Sequence, residues 1–174
     1  MPGIVILGVS GAGKSAVAVE LGALTGLEVV ESVDLVEKNT GVDASTLLVR
    51  EGESAFENAC QIAAMEALET DGIVVLSAGI ARSAIVLERL IDLKSQGILL
   101  VELYADLATL MRRTGLNAPR AVGLGPTRRM LSALVDEYRE QYARCEPMTI
   151  DTSLMRAQHV AERIFAHIDT NAVS

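Results

Sequence analysis

The sequence predicts an α/β fold in which a five-stranded parallel sheet, flanked by helices, carries a phosphate-binding loop. Three observations predict it. The stretch Gly8 to Ser15, Gly-Val-Ser-Gly-Ala-Gly-Lys-Ser, fits the pattern G-x-x-x-x-G-K-[ST]; it follows the apolar run Ile4 to Leu7 and leads into the helix-period segment Ala16 to Leu24. That strand, loop, helix setting is what a P-loop NTPase requires. Downstream, short β-branched runs alternate with longer segments of helical period, the pattern of parallel strands joined by helical crossovers. Finally, 174 residues, half of them apolar, suit a single domain (1–174) with a sizeable core.

In chain order, the β-branched run Gly3 to Leu7 reads as the first strand and Lys14 to Leu24 as the helix that the loop opens. A second strand is expected at Glu28 to Val30. Helices follow over Val33 to Thr40, Asp43 to Arg50 and Glu53 to Leu68, where apolar residues recur at helical spacing. The run Ile73 to Ser77 reads as the third strand, with a helix over Ala81 to Ile91 behind it. Ile98 to Leu103 reads as the fourth, with a helix over Leu107 to Thr114. Thr127 to Arg144, Met148 to Ile150 and Leu154 to Ile168 complete the chain as helix, strand and helix. No repeat, linker or low-complexity tract suggests a second domain. Parallel strands deliver ligand-binding residues at their carboxyl ends, so Gly8 to Ser15, Glu31 to Asp34 and Ser77 to Ile80 should converge on one cleft.

The chemistry of the loop follows from its residues. Glycines let successive backbone N–H groups turn inward as an anion-binding nest, and the helix start adds partial positive charge. Lys14 can reach the β and γ phosphates of ATP, and the Ser15 hydroxyl can sit on Mg²⁺. The segment 115–126 carries Gly115, Pro119, Gly123, Gly125 and Pro126 and reads as a loop, a lid with Arg113 at its entrance and Arg120 inside. Closing over nucleotide, it could bring a guanidinium to the phosphoryl oxygens and exclude water.

Composition excludes other classes. A net charge of −8 argues against a general nucleic-acid or membrane-surface binder, either of which needs a basic face. Cys60 and Cys145 are isolated, no secretory pattern opens the chain, and no apolar run approaches a membrane span. A reduced, cytoplasmic location and a monomer are expected. His159 and His167 stand eight apart without zinc spacing and read as helix-surface residues.

Beyond the loop, several stretches carry a likeness. Val36-Glu37-Lys38 with Thr40-Gly41, Gly52-Glu53 with Phe56, the Arg113 and Arg120 pair, and Tyr142 with Asp151-Thr152 follow Gly11 to Ser15 in order and spacing. In these the chain resembles the shikimate kinase family of small P-loop kinases, from about Ile4 to Thr152. The resemblance implies a nucleoside-monophosphate-kinase-like fold with a nucleotide site, a lid and an acceptor-binding section at about 31–60. It implies that Gly11, Ala12, Gly13, Lys14, Ser15 and Ala16 hold ATP and Mg²⁺, that Arg113 lies against adenine, and that Arg120 closes on the phosphates. Glu31 stands where the family has an Asp that orders the magnesium waters. Lys14 and Arg120 would be catalytic, with Asp34 or Glu57 as base for the acceptor hydroxyl.

The acceptor half departs from the family pattern. Val33 replaces a second Asp, and Asp34 beside it is offset by one residue and so points elsewhere. Glu57 replaces an Arg for the substrate carboxylate, Tyr138 replaces another, and Ala78-Gly79-Ile80 replaces a triple glycine, putting a branched side chain where backbone should approach the ring. Losing one partner of a buried charge pair costs roughly 2 to 5 kcal/mol. Two missing arginines should therefore cost shikimate on the order of 10³-fold in binding, unless Asp34, Arg82, Arg128, Arg129 or Arg139 compensates. The expected activity is transfer of phosphate from ATP to a small hydroxylated molecule other than shikimate, at a site including Val33, Asp34, Glu57, Gly79 and Tyr138. Authentic shikimate kinase activity, a nucleotide-binding regulator that has lost catalysis, and a gluconate-kinase-like enzyme are the alternatives.

Overall fold

The computed structural model describes residues 1–115 and 124–172, the side chains of 124–127 and 169–172 excepted. Five strands form one parallel sheet in the order β2-β3-β1-β4-β5, namely β1 (Pro2–Leu7), β2 (Val29–Glu31), β3 (Gly72–Val75), β4 (Leu99–Tyr104) and β5 (Met148–Asp151). β1 is central: Val5 pairs with Val74 on one side and Leu100 on the other. Strands covered on both faces must be apolar throughout, and Ile4 to Leu7, Ile73 to Val75 and Leu100 to Leu103 are all buried, with Glu102 the one charged residue among them.

The connections are helical: α1 (Lys14–Thr25), α2 (Ser32–Thr40), α3 (Ala44–Glu51), α4 (Glu53–Ala67), α5 (Ala84–Ser95), α6 (Leu107–Arg113), α7 (Leu124–Ala143) and α8 (Ala157–Ala172). α1 packs on α8. Helices α2, α3 and α4 enclose a small core of their own, formed by Val36, Leu47, Cys60 and Ala63. This is the section where acceptor binding is expected.

All five strands and all eight helices expected from the sequence are present, but some bounds differ: α5 runs to Ser95 and α8 to Ala172, past the expected ends at Ile91 and Ile168, and some starts differ for local reasons. α5 begins at Ala84 rather than Ala81, because Ala78–Arg82 forms a short 3-10 turn and the Ser83 hydroxyl accepts the Val86 N–H as the cap. α8 begins at Ala157 rather than Leu154, because Asp151 Oδ1 accepts both the N–H and the hydroxyl of Ser153 and turns the chain first. Such side-chain bonds offer the backbone an alternative to helix. α7 begins at Leu124, so the last three residues of the expected 115–126 loop are helical. Arg120 and the rest of the expected lid, 116–123, lie outside the described residues.

Candidate functional site

The chain leaves β1 through Gly8, where a Cβ would stand 2.1 Å from the carbonyl oxygen of Leu103 and where φ is +136°. Only glycine lets the loop pass β4 this closely. Gly13 then caps α1 in the left-handed region with no side chain bonded to the first helical N–H groups. An uncapped helix start of this kind suits an anion. The cleft above it has a volume of about 310 Å³ and is lined by Ser10, Gly11, Gly13, Lys14, Ser15, Ala16 and Arg113. Ala12 is turned inward, its N–H donating to Val9 at 3.2 Å and its carbonyl accepting from Thr152.

Lys14 is folded onto its own loop, Nζ donating to the carbonyls of Gly8 at 2.9 Å and Val9 at 3.2 Å. Burial pushes its ammonium down to about 8, and the Glu31 carboxylate works against that shift. Glu31, at the end of β2, thus faces the lysine as the strand topology predicts. Ser32 completes the convergence, since its hydroxyl accepts the Ser77 N–H at 2.9 Å just beyond β3.

Arg113 is held against the loop. Its Nη1 donates to Gly11 O at 3.2 Å and Thr152 Oγ1 at 3.0 Å, and its Nη2 to Thr152 O at 2.8 Å. The Thr152 hydroxyl lies 2.8 Å from Ala12 O and 3.1 Å from Tyr104 O. A threonine 140 residues from the loop therefore braces it, and only its place beside Asp151 in the family pattern pointed there.

Where acceptor binding is expected, a smaller cavity, about 100 Å³, is lined by Phe56, Glu57, Cys60, Gln61, Gly79, Ile80, Arg82 and Ser83. Glu57 and Gly79 meet there as expected. Val33 and Asp34, both exposed on the first turn of α2, are not part of its lining, nor is Tyr138, which is buried. Ile80 was expected to project into the site; instead it is 1% exposed, because the 3-10 turn rotates it into the main core. Burial also pushes the Cys60 thiol up, opposed by a hydrogen bond with Ser77.

Arg82, Tyr138 and Glu57 are each expected near the acceptor, but nothing in the chain order links Arg82 to Glu137 or Glu53. The Arg82 Nε lies 2.8 Å from Glu137 Oε1 and its Nη2 3.2 Å from Oε2, its Nη1 is 3.8 Å from Glu53, and its guanidinium stands 5.6 Å from the Tyr138 ring centroid. The Glu137 hydrogen bonds raise Arg82 above the usual range and hold Glu137 below it. Arg139, another candidate for compensation, is engaged elsewhere: its Nε is 3.4 Å from Glu102 Oε1 and its guanidinium 4.2 Å from the Tyr104 ring centroid. Tyr142, below Tyr138, donates its hydroxyl to Ala78 O at 3.0 Å and so ties α7 to the 3-10 turn. Among the described residues, no group of three or more His, Cys, Asp and Glu could hold a metal, and no helix is long and apolar enough to cross a membrane.

A family model described as shikimate kinase matches residues 10–169. Shikimate kinase of Thermobifida fusca is 31% identical over 166 residues, which cover 94% of this chain and 92% of that protein. Among solved structures, shikimate kinase from Acinetobacter baumannii in complex with shikimate is similar with a TM-score of 0.84 at 25% identity, covering 100% of this chain and 96% of that one. Deoxyadenosine kinase from M. mycoides shares the fold, with a TM-score of 0.59 at 14% identity over 98% of this chain and 100% of that one.

Proposed function

The chain belongs to the shikimate kinase family and is a phosphotransferase, and we propose that it transfers the γ-phosphoryl group of ATP to a small hydroxylated acceptor other than shikimate. The observation that carries this reading is Glu57: it lines the pocket beside the 3-10 turn, at the position where the family pattern has an arginine for the substrate carboxylate. A carboxylate there repels the group it should bind.

Phosphoryl transfer asks mainly for positioning and charge. The open N–H groups at Gly13 and Lys14 cradle phosphate oxygens, and the Lys14 ammonium leaves the carbonyls of Gly8 and Val9 for the β and γ phosphates. Arg113 stacks on the base from its seat on Thr152. Arg120, outside the described residues, is assigned to the transferring phosphoryl group. Bound Mg²⁺, which Ser15 and Glu31 fit, supplies neutralisation of phosphate charge.

A coupled ADP-release assay over neutral, basic and acidic polyols, with shikimate among them, tests this. The expected result is turnover of a non-acidic acceptor with kcat/KM on the order of 10³ above that for shikimate. Shikimate turning over best, at low micromolar concentration, would overturn it. A second reading, phosphorylation of shikimate itself, is favoured by Arg82, a cation on the pocket wall; the same assay decides between them.

A further inference from the structure

Arg82 is the one cation among the described residues that line the acceptor-side pocket, and it is already engaged. A guanidinium presents its N–H groups as a rigid fork matched to one carboxylate. Here Nε and Nη2 meet the two oxygens of Glu137, Nη1 lies 3.8 Å from Glu53, and one face stands over Tyr138. Glu57 adds its field from the pocket wall. Three carboxylates thus surround one guanidinium, and an acceptor's carboxylate would have to displace Glu137 from the fork while facing the other two.

We propose that Glu137 is the specificity-determining residue of the acceptor site: by occupying the fork of Arg82 it withdraws the pocket's cation from acceptor carboxylates, and so selects neutral or amine-bearing hydroxylated acceptors. Glu137 sits on α7 beside Tyr138, and the Tyr142 bond to Ala78 holds that helix against the turn bearing Arg82, so the pair is fixed from both ends. The inference rests on the reading that this pocket receives the acceptor.

The test uses the full chain with a non-hydrolysable ATP analogue and two probes, shikimate and its methyl ester, which share ring hydroxyls and differ in charge. Calorimetry compares wild type, Glu137→Gln, Arg82→Gln and the double variant, with Glu137→Ala as a second means of removing the charge. Glu137→Gln should shift the ratio of the two dissociation constants toward shikimate by about fivefold, and the shift should vanish once Arg82 is also Gln. An unchanged ratio overturns the proposal, as does a shift that persists without Arg82, which would be a general field effect. Binding of neither probe by any form overturns it too. Failure of the underlying reading looks different: wild type itself would prefer shikimate to the ester.

Discussion

The two cavities of the proposed active site are made of different material. The phosphate end is backbone: Gly8 passing Leu103, Gly13 opening α1, carbonyls of Gly8 and Val9 holding Lys14. The proposed acceptor end is side chain: Glu57, Arg82 clamped by Glu137, and Tyr138 beneath. Backbone recognition is tied to the fold, since changing Gly8 would drive a Cβ into β4. Side-chain recognition can be rewritten one residue at a time. The difference teaches that a loop built of backbone is harder to alter than a pocket built of side chains.

The largest expected effect tests the phosphate end. Lys14→Met keeps the stem and deletes the charge, and should lower kcat by roughly 10²- to 10³-fold with any acceptor, as read by ADP release. Thermal unfolding should not fall, because a half-buried ammonium has been replaced by an apolar group. Activity within twofold of wild type would break the comparison, because the cleft at α1 would not be where transfer occurs.

Next comes the acceptor end. Glu57 is exposed on α4, so Glu57→Arg should be tolerated, and it should raise kcat/KM for shikimate about tenfold or more while leaving KM for ATP unchanged. A comparable change in both constants would show that the two ends are not separable. Ile80 shows why such changes need a structure: the likeness to the family's triple glycine puts its side chain in the site, whereas the 3-10 turn puts it in the core.

The third prediction sharpens the electrostatics of the phosphate end. Burial lowers the Lys14 ammonium to about 8 in the empty cleft, and bound phosphates must raise it again, so above pH 8 nucleotide binding takes up a proton. Affinity for ATP should be flat below about pH 8 and fall by about tenfold per pH unit above it. Calorimetry in buffers of different ionisation heat reads the proton directly. The sign for folding is opposite: between about 8 and the ordinary lysine range the unfolded chain holds a proton that the folded chain lacks, so stability of the empty protein rises with pH there. Lys14→Met should abolish both trends.

Most of the fold could be read from the sequence because its signals are local. Branched runs, fully buried in the central strands, mark the strands to within a residue or two, and the loop from Gly8 to Ser15 is contiguous. What escaped is set by contacts distant in sequence or by caps. The starts of α5 and α8 depend on Ser83 and Asp151 bonding the backbone. Arg82 and Glu137 are 55 residues apart, and no periodicity links them. The loop from Gly8 to Ser15 could be read because it is contiguous, whereas its bracing by Arg113 and Thr152 and the pairing of Arg82 with Glu137 join residues from separate elements.

The smallest expected effect concerns the joint between the two ends. Tyr142 is buried, and its hydroxyl donates to Ala78 O, the first residue of the turn that presents Gly79 and Arg82. Tyr142→Phe removes the donor and leaves the carbonyl without it, at a cost of about 1 to 2 kcal/mol, which in a chain of this size lowers the melting temperature by roughly 2 to 8 °C. The ring still fills its site, so α7 stays in place and the nucleotide cleft, braced separately by Thr152 and Arg113, should bind ATP as before. The turn, however, loses its tie to α7 and Arg82 is less tightly aimed, so KM for the acceptor should rise while that for ATP holds. Equal loss at both would mean that α7 couples the ends rigidly, and that the acceptor site is less free to diverge than its side-chain construction implies.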